Sequence, residues 1–387
     1  MTPAIIVIAY NRPDSILRLF KSLSAAHYLQ KDVPLIISID YQESENHDRV
    51  IEIATNFEWP FGEKKIIAHQ KNLGLKKHVL SCGNLVADYE SIIMLEDDIF
   101  VSPYFYEYAS DALCFYQDSN EIAGISLYCH KKNFVANLPF ELIPDSNDVF
   151  FLQIASSWGQ AWTKKQWFDF RDWMSIADHD LDCLPSNVKN WPESSWLKHF
   201  IRYLILKNKY FVYPTKSLST NFGDSGTHNL NKNVEYQVPL FMGNNYRFVK
   251  ISNSFNVYDA FFEILPSRLK LLVPELNEID FSVDLYGKKE LKNISTKYLL
   301  SSKIVKNIKP KLIHSFGLQL KPMVLNVIFQ IEGDIFKLNL KNNFKEEHFF
   351  FSINNPFIFD YFYTKIALKK ALAFFMSRFS IKFKFFI

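Results

Sequence analysis

The apolar run Ile92-Ile93-Met94-Leu95 stops at three consecutive acids, Glu96-Asp97-Asp98. An unbroken apolar run of this length fits a strand buried on both faces, as in a parallel sheet covered by helices. The change to carboxylates fixes where that strand ends. It ends at the carboxyl edge of the sheet, where ligands of open α/β sheets bind. Carboxylates this close repel one another, and a bound divalent cation is the usual relief.

The same grammar recurs along the first half. Ile5-Ile6-Val7-Ile8-Ala9 reads as a strand, Tyr10-Asn11-Arg12-Pro13 as a turn, and Ile16, Leu17, Leu19, Phe20 and Leu23 have helical spacing. Leu35 to Ile39 is a second strand, ending at Asp40, and 47–56 a short helix. Lys65 to His69 is a third strand, followed by the loop Asn72-Leu73-Gly74-Leu75 and a helix to about Ala87. Beyond the acidic triplet, a helix is expected after Pro103, a strand over Ile122 to Tyr128, and an irregular loop over 130–149. The segment Ser156 to Trp162 leads into a helix with Trp167, Phe170 and Trp173. A helix over 194–207 leads to the strand Tyr210 to Tyr213 and the turn-rich run Ser219 to His228. Strand-helix alternation predicts the α/β class.

Composition adds bounds. With 48% hydrophobic and 22% charged residues the chain can bury a sizeable core, and 387 residues suffice for more than one domain. A net charge of +3 is too small to point to nucleic acid. From Tyr286 onward, however, 18 Lys and Arg stand against 6 Asp and Glu. The last stretch, Tyr361 to Ile387, interleaves Phe and Leu with Lys365, Lys369, Lys370, Arg378, Lys382 and Lys384, and has no acid. That suits an amphipathic helix on an anionic membrane surface; a basic helix packed on its own domain, or codon bias, are the plainer readings. Cys82, Cys114, Cys129 and Cys183 form no Cys-x-x-Cys pair, which fits reduced thiols in a cytoplasmic protein. No signal peptide and no apolar run of about 18 residues is visible.

Four segments in order resemble GT-A glycosyltransferases. They are Ile5 to Pro13, Ser38-Ile39-Asp40, Glu96-Asp97-Asp98 as a form of the Asp-x-Asp motif, and Trp158-Gly159-Gln160-Ala161-Trp162 through Asn221-Phe222-Gly223. The last is similar to the acceptor-side half of N-acetylglucosaminyltransferase I and its bacterial family-2-like relatives. The resemblance implies a Rossmann-like, mostly parallel central sheet flanked by helices. It implies a catalytic domain over 1–253, with a nucleotide-binding half 1–101 and an acceptor-side half 102–253. A basic, aromatic-rich extension, 254–387, follows.

It also implies roles. Asp98 would ligate Mn2+ or Mg2+, with Asp97 on ribose or metal-bound water and Glu96 supporting them. Arg12 would face the nucleotide, Ala9, Tyr10 and Asn11 would frame the base, and Asp40 would bind the uracil or ribose side. Asp40 also reads as a turn or N-cap residue. His78 would contact uridine, or with Lys77 form a surface basic pair. Trp158, Gly159 and Trp162 would shape the sugar pocket, or be core aromatics. Asn221 and Gly223 belong to a polar loop beside the diphosphate, with His228 as a metal ligand or a surface histidine. Relatives carry a base, an Asp directly after a Trp or one residue later, near 194–207; here Ser195-Trp196-Leu197-Lys198-His199 has no carboxylate at either position. Glu193 is the nearest substitute, ahead of Asp182 and His199. The expected activity is inverting transfer from a UDP-sugar to a glycan or lipid-linked glycan of capsule, O-antigen or lipooligosaccharide type, at the inner face of the plasma membrane. A catalytically inactive scaffold and a nucleotidyltransferase are the alternatives. The Gly-rich loop a nucleotidyltransferase needs is replaced here by Tyr10-Asn11-Arg12-Pro13.

Overall fold

The computed structural model describes residues 1–176, 182–224, 234–306, 313–346 and 356–363. The chain divides into two compact units, one of 1–131 and 144–264, the other of 132–143 and 265–387.

The first unit begins with β1 (Ala4–Ala9), α1 (Pro13–Ser24), β2 (Leu35–Ile39), α2 (Glu45–Asn56), β3 (Lys64–Ala68), α3 (Leu75–Asn84), α4 (Val86–Tyr89) and β4 (Ser91–Glu96). Pro13 stands at the first position of α1, where its missing N–H is no loss and its fixed φ suits the helix. Ser44 caps α2 by accepting the backbone N–H of His47. β1, β2 and β4 pair in parallel, and every residue of β1 and β2 is buried. The continuous apolar runs thus follow from burial on both faces.

The chain continues through β5 (Ile99–Val101), α5 (Phe105–Tyr116), β6 (Ile122–Ser126), the two-residue strands β7 (Lys132–Asn133) and β8 (Leu138–Pro139), β9 (Val149–Leu152), β10 (Gln160–Thr163), α6 (Lys164–Ile176), α7 (Ser186–Lys189) and α8 (Trp196–Leu206). β11 (Tyr210–Pro214), β12 (Ser219–Asn221) and β13 (Val257–Tyr258) complete the first unit. Its main sheet has nine strands among the described residues, in the order β13-β9-β11-β6-β10-β4-β1-β2-β3. The sheet is mostly parallel, and β10 enters antiparallel between β4 and β6. Helices pack along it: α2 on β2 and β3, α3 on β1 and β4, α5 and α6 on β6 and β10. The protein is of the α/β class, with a large, mostly parallel central sheet flanked by helices.

Three features depart from the expected pattern. The strand expected over Ile122 to Tyr128 ends at Ser126. The region expected as an open loop contains the β7–β8 hairpin, which belongs to the second unit. A separate antiparallel ladder, β5 with β12, was not foreseen, and it positions part of the site.

In the second unit, α9 (Pro266–Leu272), β14 (Phe281–Asp284), β15 (Tyr298–Ser301), β16 (His314–Phe316), α10 (Val324–Ile328), β17 (Phe336–Leu340) and α11 (Pro356–Phe362) follow. Their sheet runs β14-β15-β17-β16. Ile294, Leu299 and Phe344 form a small core there, and Tyr286 donates to the Pro139 carbonyl at 3.0 Å, which ties the β7–β8 hairpin to this unit. Among the described residues no helix is long and apolar enough to cross a membrane. Most of the basic stretch Tyr361 to Ile387 lies outside the described residues.

Candidate functional site

A cleft of about 410 Å³ opens at the carboxyl ends of β1 and β4. Its lining includes Ala9, Tyr10, Asn11, Arg12, Asp40, His78, Glu96, Asp97, Asp98, Trp158 and Asn221. Sequence positions spread over more than 200 residues therefore meet at one sheet edge.

The acidic end is built first. β4 delivers Glu96, and the turn into β5 presents Asp97 and Asp98, both buried. Arg12, in the turn after β1, pairs with Asp97 and donates from Nη1 to Asp98 Oδ2 at 3.0 Å. The other oxygens, Asp97 Oδ2 and Asp98 Oδ1, are buried with no hydrogen-bond partner. Unsatisfied buried carboxylate oxygens are costly, and a hard cation is a fitting partner. Burial, then the charges of Asp98 and Asp97, push the Glu96 carboxyl up to about 8 against the pull of Arg12. Burial raises Asp97 to about 6, Arg12 opposing and Asp98 adding. Burial works against the Arg12 charge, but Asp97 and Asp98 more than restore it, so the guanidinium stays protonated. Among the described residues no group of three or more His, Cys, Asp or Glu forms a ready-made metal cage. One or two carboxylates are the usual protein share for a cation that takes its remaining oxygens from phosphate and water.

The β5–β12 ladder brings in the far half. Ile99 pairs with Asn221, and the Phe222 N–H donates to the Asp98 carbonyl at 3.0 Å. Asn221 then accepts the Gly223 N–H, and Gly223 takes a φ of +59°. Asp224 pairs with Arg18 and accepts from Ser15 at 2.8 Å. His228 lies outside the described residues.

On the opposite side Asp40 organises the loop that opens α3. Its Oδ1 accepts the N–H of Leu73 at 2.8 Å and of Tyr41 at 3.0 Å, and its Oδ2 accepts Gly74 at 3.1 Å. The carboxylate expected on the uracil or ribose side, or as a turn residue, is thus engaged by backbone, and it shapes the cleft through Gly74, whose φ of +74° suits glycine. Asn72 donates to the Tyr41 carbonyl at 2.9 Å and the Tyr10 hydroxyl at 3.2 Å. Asn11 donates to Gln42. His78 is buried, so it is no surface partner of the exposed Lys77, and its Nε2 lies 2.8 Å from Ser38 Oγ.

Burial lowers the His78 pKa to about 4, with Asp40 opposing and His69 assisting. An unfolded histidine titrates near 6.5, so on acidification the unfolded chain takes up this proton first. The resulting stability is complete above that pH and is lost as pH falls toward 4. Comparing urea unfolding of the wild type and His78→Gln should show the wild type losing up to about 3 kcal/mol more between pH 7 and pH 4. Parallel pH profiles would remove His78 as the source.

The third wall is aromatic. Trp158 lies in the turn before β10, with Tyr128 at 4.6 Å and Tyr236 at 4.8 Å between ring centroids. Tyr236 lines the cleft with it. Gly159 does not line the cleft; its φ of +90° makes the turn that presents Trp158. Trp162 is a core residue, fully buried against Trp167 and Phe200.

Glu193 is also outside the lining. Its side chain is 65% exposed, and its Oε1 accepts from Lys198 Nζ at 2.5 Å. The hydrogen bond from Lys198 also keeps its pKa below the usual value, which makes it a weaker base. Asp182 is exposed and pairs with Lys189. The lining residues to which the sequence assigned no role in the site are Ile8, Asn72, Gly74, Leu75, Asp224 and Tyr236. Asn72 and Leu75 flank Gly74 in a loop the sequence did mark; nothing local marks Tyr236.

No family model matches the sequence, and no curated protein matches it. Among solved structures, S. aureus TarS 1-349 is similar at 14% identity and a TM-score of 0.37, over 57% of this chain and 60% of that one. The same protein in complex with UDP-GlcNAc is similar at 13% identity and a TM-score of 0.36, over 58% and 60%. The mannosyltransferase PcManGT from Pyrobaculum calidifontis, in complex with GDP-Man and Mn2+, is similar at 12% identity and a TM-score of 0.31, over 43% and 46%. The chain spans less than two thirds of the length of each of these structures.

Proposed function

We propose that the protein is a GT-A glycosyltransferase that transfers a hexose or N-acetylhexosamine from a UDP-sugar, with inversion, to a cell-surface glycan or its lipid-linked precursor. One observation supports this most: a single cleft holds two orphaned carboxylate oxygens beside Arg12, a polar loop around Tyr10, Asn11 and Asn72, and an aromatic wall of Trp158 and Tyr236. Each wall suits one part of a nucleotide sugar.

Asp98 and Asp97 would hold Mn2+ or Mg2+, which when bound offsets charge on the diphosphate as the nucleotide leaves. Arg12 holds both carboxylates in place and adds positive charge beside them. Tyr10, Asn11 and the Asp40-fastened loop frame the nucleoside, with His78 neutral behind them. The Trp158 indole offers its face to the apolar side of a sugar ring. An acceptor base is the part this cleft supplies least clearly, because Leu197 stands where relatives carry Asp and Glu193 is tied to Lys198. That observation favours the second reading, a cleft that binds donor without turning it over.

Calorimetric titration separates these. UDP with Mn2+ should bind, GDP and CMP should bind at least about tenfold more weakly, and Mn2+ alone should bind weakly because the protein supplies too few ligands. Absence of nucleotide binding would defeat both readings. Binding without any donor hydrolysis would favour the inactive one. Catalysis at a membrane surface through the basic C-terminal stretch is part of the same proposal, tested by sedimentation with anionic vesicles.

A further inference from the structure

Charge also gathers where α3 meets α8, in residues that do not line the cleft. Lys198, His199 and Arg202 share a face of α8 by their spacing, and Lys76 comes from the first turn of α3, next to the cleft residue Leu75. Lys76 Nζ lies 2.7 Å from His199 Nε2 and donates to the Glu193 carbonyl at 3.0 Å. Lys198 is buried; its Nζ donates to the Trp191 carbonyl at 2.9 Å and to Glu193 Oε1 at 2.5 Å. Arg202 is 1% exposed, and its buried Nε has no hydrogen-bond partner.

Lys76, Lys198, His199 and Arg202 therefore gather around Glu193, whose carboxylate is mostly in solvent, and the Arg202 Nε among them has no acceptor. A buried guanidinium short of acceptors is costly, and its planar fork matches the oxygens of a phosphate. Burial and then the neighbouring Arg202 lower Lys76, and burial, Lys76 and Arg202 lower His199, against the pull of Glu193. Mutual repulsion of this kind is relieved by a bound anion.

We propose that Lys76, Lys198, His199 and Arg202 form a binding site for a phosphate group carried by the acceptor, separate from the donor cleft. The site's role toward an acceptor rests on the glycosyltransferase reading; its affinity for phosphate does not. It would place an anionic acceptor where α8 begins, close to the end of α3 that lines the cleft.

The full chain is titrated calorimetrically with inorganic phosphate, with and without saturating UDP and Mg2+. One phosphate should bind in both conditions. Lys76→Gln should weaken it about tenfold, and Glu193→Gln, which removes the competing carboxylate, should tighten it several-fold. sn-Glycerol 3-phosphate should bind within about threefold of inorganic phosphate, as a phosphate on a larger molecule requires. Phosphate binding abolished by UDP, or unchanged in Lys76→Gln, would overturn the site. Much weaker binding of the glycerol ester would make it a site for the free ion and overturn the acceptor role. Failure of UDP to bind while phosphate still binds would count against the donor reading alone.

Discussion

Asp98→Asn should leave the protein folded while reducing metal-dependent donor turnover by about a hundredfold or more. The substitution keeps the side-chain shape but removes one of the two negative charges available for a cation. Its effect on stability has two opposed parts. Arg12 loses one partner but keeps Asp97. Glu96, whose carboxyl is pushed up first by burial and then by Asp98, is relieved of a like charge. Relief of repulsion offsets the lost ion pair, so the melting temperature should stay level or rise slightly, as at other sites where stability is given up for function. Donor hydrolysis with Mn2+, alongside thermal unfolding of both proteins, tests this. Full activity in the variant would show that Asp98 is not the metal ligand.

Gly83→Ala should destabilise the first unit by about 2–3 kcal/mol and weaken nucleotide binding at the same time. A Cβ at Gly83 would sit 1.9 Å from Cζ2 of Trp167. The indole has no room to withdraw: it is fully buried, lies 5.0 Å from Trp162 and donates from Nε1 to Asn84 at 2.9 Å. Alanine gains up to about 1 kcal/mol over glycine inside a helix, which is smaller than the overpacking penalty. The clash must then displace α3, and α3 carries Leu75 and His78 of the cleft, with Gly74 just before it. Urea unfolding and UDP titration of the variant would reveal the paired loss. Wild-type values in both would mean that the packing of α3 against α6 is not what holds this wall of the cleft.

Strands β1, β2 and β4 are legible because they are almost wholly apolar and give way at once to polar residues at Tyr10-Asn11, Asp40 and Glu96-Asp97, whereas β9, β10 and β13 of the same sheet are not marked as strands by the sequence. Burial on both faces leaves a strong signal, and so does the switch to polar residues at the open edge. Other parts left weaker marks. β5 and β12 are three residues each, too short for a period to show. Trp158 and Trp162 are the same residue type four positions apart, yet one lines the cleft and one fills the core, because β10 starts between them. The sequence marked Asp40 as a residue of the site but not its partners, since backbone N–H groups from Tyr41, Leu73 and Gly74 leave no trace in residue identity. Glu193 is the carboxylate nearest to Trp196 along the chain, and chain order does not show that Lys198 holds it.

The reversed direction of β10 has an evolutionary consequence. Because it runs against β4, the turn preceding it, with Trp158, arrives at the edge where β4 ends. On the proposed function, what would face the sugar therefore belongs to a different stretch of chain from what would grip the nucleotide. Substitutions or insertions around 156–159 could retune one specificity without disturbing the strands that set the other. Diversification of donor sugars on a constant nucleotide grip would be open to descendants of this chain through a single short turn.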